Sequence, residues 1–316
     1  MMFNAEKFIG EQIKKLKNEV KGKAIIAASG GVDSTVCAAL VGKALGERLL
    51  AIYVDTGFMR KGETESVDRM LSRLGVNHKV VDASDEYFSA LKGVVEPEQK
   101  RKIIGEKFIR IFEREAKKFG ADSLVQGTIA PDWIESGGGL RDTIKSHHNV
   151  GGLPKDMNLR LIEPLRDLYK DEVRKVGRAL RIEVAEKQPF PGPALAIRVM
   201  GEPTRESVAL VREACSIVEE EIEKAASAGK MKLPWQYFAV LLPVKSVGVQ
   251  GDIRAYGYTI AVRAVDSVDA MTAVYSKIPH DVLEAISSRV ANELKSKVNR
   301  VVYDITNKPP ATIEWE

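Results

Sequence analysis

Cysteine is almost absent: the 316 residues hold two, Cys37 and Cys215, each inside an apolar helical pattern. A disulfide framework or a metal knuckle needs more, so neither is expected, and a reducing cytoplasm is the expected setting. No apolar segment approaches the roughly 20 residues that cross a bilayer, and the start of the chain does not read as a signal peptide. No membrane association is expected. A charge of one sign is lacking too, since 48 Lys and Arg stand against 44 Asp and Glu for a net +4. Such a balance leaves none of the basic footprint that a nucleic-acid partner requires. Gly-Lys-Ser and Gly-Lys-Thr occur nowhere, which disfavours a Walker loop and γ-phosphate transfer in that style. The remaining composition, 29% charged, is that of a globular chain with room for two domains and is compatible with a thermophile source.

What is present is a phosphate cradle of another kind. Ser29-Gly30-Gly31-Val32-Asp33-Ser34-Thr35 follows the apolar run Ala24 to Ala28 and leads into Val36-Cys37-Ala38-Ala39-Leu40, reading as strand, glycine turn and helix. Glycines let the backbone approach an anion, a helix start offers N–H groups and the positive dipole end, and the hydroxyls add donors. Asp33 would repel a phosphate unless Mg²⁺ sat between them, and magnesium is normally held by one or two carboxylates plus phosphate oxygens. The loop therefore predicts binding of a magnesium nucleotide.

Short β-branched runs alternate with helical patterns through residues 1–188, as a doubly wound parallel α/β sheet requires. Strands are predicted at Ala24 to Ala28, Leu49 to Val54, His78 to Val81 and Ser123 to Gln126. Ligands bind beyond the carboxyl ends of such strands, where Ser29, Asp55 and Gly127 lie. A helix is predicted from Pro97 to Phe119 with Ile104, Phe108, Ile111, Phe112 and Phe119 near its core face, and Lys100, Arg101, Lys102 and Lys107 are read as surface. Residues 135–158 hold glycine clusters, Lys145, His147 and His148 without periodicity, the pattern of a lid; Lys145 is expected to neutralise phosphate charge once it closes. Pro189-Phe190-Pro191-Gly192-Pro193 marks a linker. A smaller α+β domain follows over 194–316: a helix from Thr204 to Ser227, strands at Tyr237 to Leu242 and Tyr258 to Val265, a helix over Asp281 to Lys295 capped by Asp281, and a strand over Val298 to Thr306.

The nucleotide loop resembles that of the ATP pyrophosphatases, which cleave ATP to AMP and pyrophosphate. Tyr53-Val54-Asp55-Thr56-Gly57-Phe58-Met59-Arg60, Gln126-Gly127-Thr128, Lys145-Ser146-His147-His148-Asn149, the Pro-Phe-Pro-Gly-Pro linker, Ser246-Val247-Gly248-Val249-Gln250-Gly251-Asp252 and the tail Lys308-Pro309-Pro310-Ala311-Thr312-Ile313-Glu314-Trp315-Glu316 all resemble GMP synthetase. That resemblance covers nearly the whole chain. It implies an adenine nucleotide alpha hydrolase-like fold and synthesis of GMP from xanthosine monophosphate (XMP). ATP and Mg²⁺ would first adenylate the xanthine C2 oxygen, with release of pyrophosphate, and ammonia would then displace AMP.

The same resemblance implies ATP contacts at Ser29, Gly30, Gly31, Val32, Asp33, Ser34, Val54, Asp55 and Gly127, Asp33 holding the metal, and Lys145 near the reacting phosphates. For XMP it implies the cations Arg60, Arg254 and Lys308, with Thr312 and Glu314 as further candidates, it leaves open that one of Lys100, Arg101, Lys102 and Lys107 meets substrate, and it implies a homodimer through the second domain. Many relatives carry a glutaminase with a cysteine nucleophile ahead of the synthetase. Here the nucleotide loop opens at residue 29, and neither cysteine has a nucleophile's glycine-flanked setting. A separate glutaminase subunit is therefore expected. Ala194 and Ala196 stand where relatives often have glycine, a minor departure. A tRNA thiolase would usually need a cysteine pair and a basic face, NAD synthetase would leave the Lys-Pro-Pro tail unexplained, and a nucleotide sensor would lack turnover.

Overall fold

A computed structural model describes residues 3–131, 159–182, 188–250, 252–268, 270–295 and 297–316. The expected lid over 135–158 and Lys145 lie outside the described residues. Two compact units divide the chain. The first comprises Met1–Thr56, Gly62–Ala83 and Gly105–Lys187, the second Gly57–Lys61, Ser84–Ile104 and Gln188–Glu316. Contact thus assigns to the second unit two short stretches that sequence order places among the first 188 residues.

In the first unit, α1 (Ala5–Glu19), β1 (Ala24–Ala27), α2 (Val32–Leu45), β2 (Leu49–Asp55), α3 (Glu63–Arg73) and β3 (His78–Asp82) alternate before β4 (Ser123–Val125), β5 (Arg160–Ile162) and α6 (Lys170–Ala179). The sheet is wholly parallel in the order β3-β2-β1-β4-β5. The fold class and the four predicted strands are therefore as the alternating pattern implies. The edge strand β5 lies beyond that pattern, because Arg160, Leu161 and Ile162 form too short a run to signal one. Central strands of a parallel sheet are covered on both faces, so they read as unbroken apolar runs. Ile25, Ile26, Ala51 and Ile52 are accordingly buried, and small residues on α2, Cys37, Ala38 and Ala39, are buried with them.

Ionic contacts also tie this unit together. Glu115, on α5 (Pro97–Phe119), is buried and accepts hydrogen bonds from Lys79 at 2.6 Å and Lys118 at 3.0 Å. Burial pushes its carboxyl up, but the two ammonium groups prevail and hold it at about 2 against an ordinary 4.5. A depressed carboxylate stabilises the fold fully above its unfolded value and loses that contribution as pH falls through the folded one. Glu115→Gln should cost about 1–3 kcal/mol near neutrality, the range for a buried group losing charged partners. In urea titrations the gap between wild type and variant should narrow from pH 4.5 toward about 2; a constant gap would deny the ion pairs this role.

In the second unit, which also holds α4 (Ser84–Ala90), α7 (Arg205–Ser227) packs on β6 (Gln236–Gln250) and on α8 (His280–Glu293), which in turn packs on β9 (Val298–Asp304). β6 runs antiparallel to β7 (Ile253–Asp266), which pairs with short β8 (Val274–Tyr275) and, in parallel, with β9. β6 and β7 extend well beyond their predicted lengths. Pro243 falls inside β6, and a register shift between Leu242 and Lys245 absorbs it, as bulges do. Asp281 does not cap α8: Pro279 holds that position, and the Asp281 carboxylate pairs with Lys230 at 2.7 Å.

Candidate functional site

The first unit builds its site where β1 ends. Strand order reverses at β1, since β2 and β3 lie on one side and β4 and β5 on the other. Such a switch point opens a crevice at the carboxyl ends of the strands. Ser29 follows β1 and Gly127 follows β4, so both border it. Gly30 takes φ +74, and a Cβ there would meet Val67 Cγ2 at 2.7 Å, so only glycine makes this turn. Gly31 is the N-cap of α2 and brings no side chain to its first-turn N–H groups. The loop is closed by its own hydroxyls: Ser29 Oγ and Ser34 Oγ lie 2.9 Å apart, Ser34 Oγ donates to Gly31 O at 3.1 Å, and Thr35 Oγ1 donates to the same carbonyl at 2.7 Å.

Asp33 stands half-buried in the first turn of α2. A Cβ on Gly127 would lie 3.2 Å from the Asp33 carbonyl and 3.3 Å from Ser34 N. The absent side chain therefore keeps a cradle at the helix start. No group of three or more His, Cys, Asp or Glu able to hold a metal occurs among the described residues. A carboxylate in a phosphate cradle suits Mg²⁺, which keeps water and takes phosphate oxygens rather than a protein cage. Asp55, at the end of β2, accepts from Thr64 Oγ1 at 2.7 Å, while its carbonyl accepts from Ala83 N at 2.9 Å. Val54 beside it is buried in the β2–β3 ladder.

All five residues expected at XMP lie in the second unit, and every residue expected at ATP within the described chain lies in the first. Arg60 reaches Glu219 at 3.3 Å and lies 4.2 Å over the Phe190 ring. Glu314 is clasped by Arg198, with Nη2 to Oε1 at 2.8 Å and Nε to Oε2 at 3.1 Å, and Gln236 Nε2 donates to Oε1 at 2.9 Å. Gln236 Nε2 also reaches Pro189 O at 3.2 Å, and Arg60 Nη2 reaches the same carbonyl at 3.4 Å, so one network contains Arg60, the linker and Glu314. Lys308 sits apart from these contacts: its Nζ donates to Ala270 O at 2.8 Å and its backbone bridges Ala273. The carbonyl of Thr312 accepts from Arg263 at 3.0 Å. Arg254 stands exposed beside the β6–β7 turn, paired with Val249.

The tail is thus anchored by three fully buried cations: Lys100 pairs with Glu316, Arg198 pairs with Glu314, and Arg263 donates to the carbonyls of Thr312 and Ile313. Lys100 is not a surface residue. It shares a helix face with Ile104 and Ile111, a spacing that would have placed it inside. Burial pushes its ammonium down and the Glu316 carboxyl up, against the attraction between them. Arg198 carried a signal too, as a lone charge in the run Ala194-Leu195-Ala196-Ile197-Arg198-Val199, where burial demands a partner.

A parallel sheet with a lysine-free, carboxylate-bearing phosphate loop at its switch point is a nucleotide-binding domain of the ATP-pyrophosphatase type, here followed by a separate α+β domain. Residues 1–113 match the NAD synthase family model, and residues 220–315 match the GMP synthase C terminal domain. The chain is 57% identical over 319 residues to one subunit of the glutamine-hydrolyzing GMP synthase of Methanopyrus kandleri, covering 100% of both. With the glutamine-hydrolyzing GMP synthase of Geobacillus kaustophilus it shares 55% identity, over 98% of this chain and 61% of that protein. NMN synthetase from Francisella tularensis superposes with a TM-score of 0.48 over 61% of this chain and 78% of that one, at 16% identity. The chain belongs to the GMP synthase family, on the branch whose members are single subunits of the enzyme, and is a ligase subunit serving GMP synthesis.

Proposed function

We propose that the chain activates XMP with ATP and aminates it with ammonia supplied by a separate glutaminase subunit. The observation that carries this reading is the phosphate loop with Asp33 in place of a Walker lysine, at the switch point of a parallel sheet. Residues Ser29 to Ser34 bind the ATP phosphates, with Val54, Asp55 and Gly127 bordering the nucleotide; Lys145, outside the described residues, assists near the reacting phosphorus. Asp33 would hold Mg²⁺, which when bound offsets phosphate charge. The chain's own task is to place the xanthine C2 oxygen in line with the α-phosphorus and to stabilise the departing pyrophosphate. Ammonia then attacks C2, the C2–O bond breaks, and AMP leaves with GMP as product. Pyrophosphate release from ATP that depends on XMP is the test; ATP cleavage indifferent to XMP would reject the reading.

In function, residues 1–188 form the ATP-pyrophosphatase domain, 189–193 the linker and 194–316 the XMP-binding and dimerisation domain. Arg60, Arg254 and Lys308 meet the nucleotide's anionic end, and Thr312 and Glu314 its polar groups. A homodimer is supported by the outer half of the β6–β7 hairpin, where Val247, Val249, Ile253 and Tyr256 are exposed and Val247 pairs with Tyr256. No described helix is long and apolar enough to cross a membrane, and two buried free thiols suit the cytoplasm.

Lys308→Ala gives a specific check. An ammonium has three donors, and the bond to Ala270 O uses one. The variant should weaken XMP binding by about 1.5–3 kcal/mol, the range for a charge-assisted hydrogen bond, with ATP binding little changed. Unaltered XMP affinity in calorimetry would assign Lys308 to the Ala270 and Ala273 contacts alone.

A further inference from the structure

Glu314 is an awkward group to place beside an anionic nucleotide, and the structure shows how it could be tolerated. Its side chain is 15% exposed, whereas that of its partner Arg198 is wholly buried. Arg198 lies 4.1 Å over the Phe238 ring and 5.2 Å from the Phe190 ring, so aromatic faces hold the guanidinium while its fork grips both carboxylate oxygens. Buried ion pairs are poor devices for stability, because desolvation cancels much of their attraction and apolar replacements often serve as well. A bidentate fork does fix a carboxylate in position and plane. Oε1 takes two donors, from Arg198 and Gln236, and Oε2 takes one from Arg198. A carboxylate oxygen accepts about two, so this arrangement fills Oε1 and leaves capacity at Oε2 for a further N–H or O–H donor. The nearby positive charge also offsets the carboxylate's repulsion of a phosphate dianion.

We propose that Arg198 is the positioning residue of the nucleotide site: buried behind Glu314, it orients and neutralises that carboxylate so that it accepts a hydrogen bond from an N–H or O–H of the purine nucleotide. The inference rests on the reading of Glu314 as a nucleotide contact. Its test is ammonium-dependent GMP formation by the purified full chain, with XMP and ATP varied separately. Arg198→Lys keeps the charge and loses the fork; it should raise the XMP KM about tenfold, as loss of a charge-assisted hydrogen bond does, and leave the ATP KM unchanged. Added to Glu314→Gln, it should change the XMP KM by less than about twofold, since residues acting through one contact are not additive. Gln236→Met, which removes the other donor to Oε1 at similar volume, should show the same pattern and decides the matter if the arginine variant does not fold.

Independent, multiplying effects of the single changes, or a parallel rise in both KM values, would overturn the proposal and leave Arg198 a structural clasp. If Glu314→Gln itself leaves the XMP KM unchanged, the contact reading of Glu314 fails first. That result differs from one in which Glu314→Gln weakens XMP while Arg198→Lys and Gln236→Met do not, which would refute positioning alone.

Discussion

Asp33→Asn is expected to reduce XMP-dependent pyrophosphate release by at least about a hundredfold, the scale seen when one preorganised electrostatic contact to a developing charge is removed. The substitution preserves shape and deletes charge. Asp33 lies in the first turn of α2, where a Cβ on Gly127 would come within 3.2 Å of its carbonyl, so the close neighbour faces its backbone and not its carboxylate. The backbone geometry should therefore survive, and the loss of a helix-dipole partner costs only about 0.3–1 kcal/mol. Circular dichroism and the melting temperature should change little while turnover collapses. Raising Mg²⁺ should recover little, because Asn is a poor ligand for a hard cation that favours carboxylate and phosphate oxygen. Near-normal turnover at low Mg²⁺ would remove Asp33 from the metal's shell and return it to the role of a helix-start carboxylate.

The parts of this molecule legible in its sequence are those whose residues satisfy one another locally. The strand, glycine turn and helix at Ala24 to Leu45 appear where the apolar run, Gly30 and Gly31 put them, and the helix over Pro97–Phe119 begins at its proline. Thr204 caps α7 through its side chain, as a threonine before a helical pattern should. Long-range contacts are less visible. Lys100 reads as surface because a lysine in a basic cluster is ordinarily solvated, whereas Glu316, the residue that satisfies it, stands 216 positions away. The short edge strand β5 and the outer halves of β6 and β7 owe their existence to pairing partners rather than to their own patterns. At the candidate XMP site, sequence supplies Arg60, Lys308 and Glu314 but not the fork and amide that hold the last of these. Buried polar networks are completed by partners from several segments, so a single segment shows only an unexplained charge.

The nitrogen donor provides the second large effect. The purified chain should make GMP with ammonium, ATP, Mg²⁺ and XMP and show no glutamine-dependent synthesis above background. Glutamine hydrolysis by a thiol enzyme needs an accessible thiolate, and both cysteines of this chain are buried. Burial, with Asp33 and Glu163 nearby, pushes the Cys37 thiol far up, and its Sγ faces Gln126 O. Burial likewise pushes Cys215 up, between the backbone of Ala239 and the Arg198 guanidinium, which only partly opposes the shift. Neither can serve as a nucleophile. Adding a separate glutaminase subunit should restore glutamine use, and the two should associate more tightly when ATP and XMP are present if the binding-competent state is one that substrates populate. Product formation with each donor in turn, by chromatography, decides the matter. Efficient glutamine-dependent synthesis by this chain alone would overturn the division of labour, since it would demand a thiol that neither Cys37 nor Cys215 can offer; failure with ammonium would instead strike at the activation of XMP, leaving the phosphate loop with nucleotide binding but no amination.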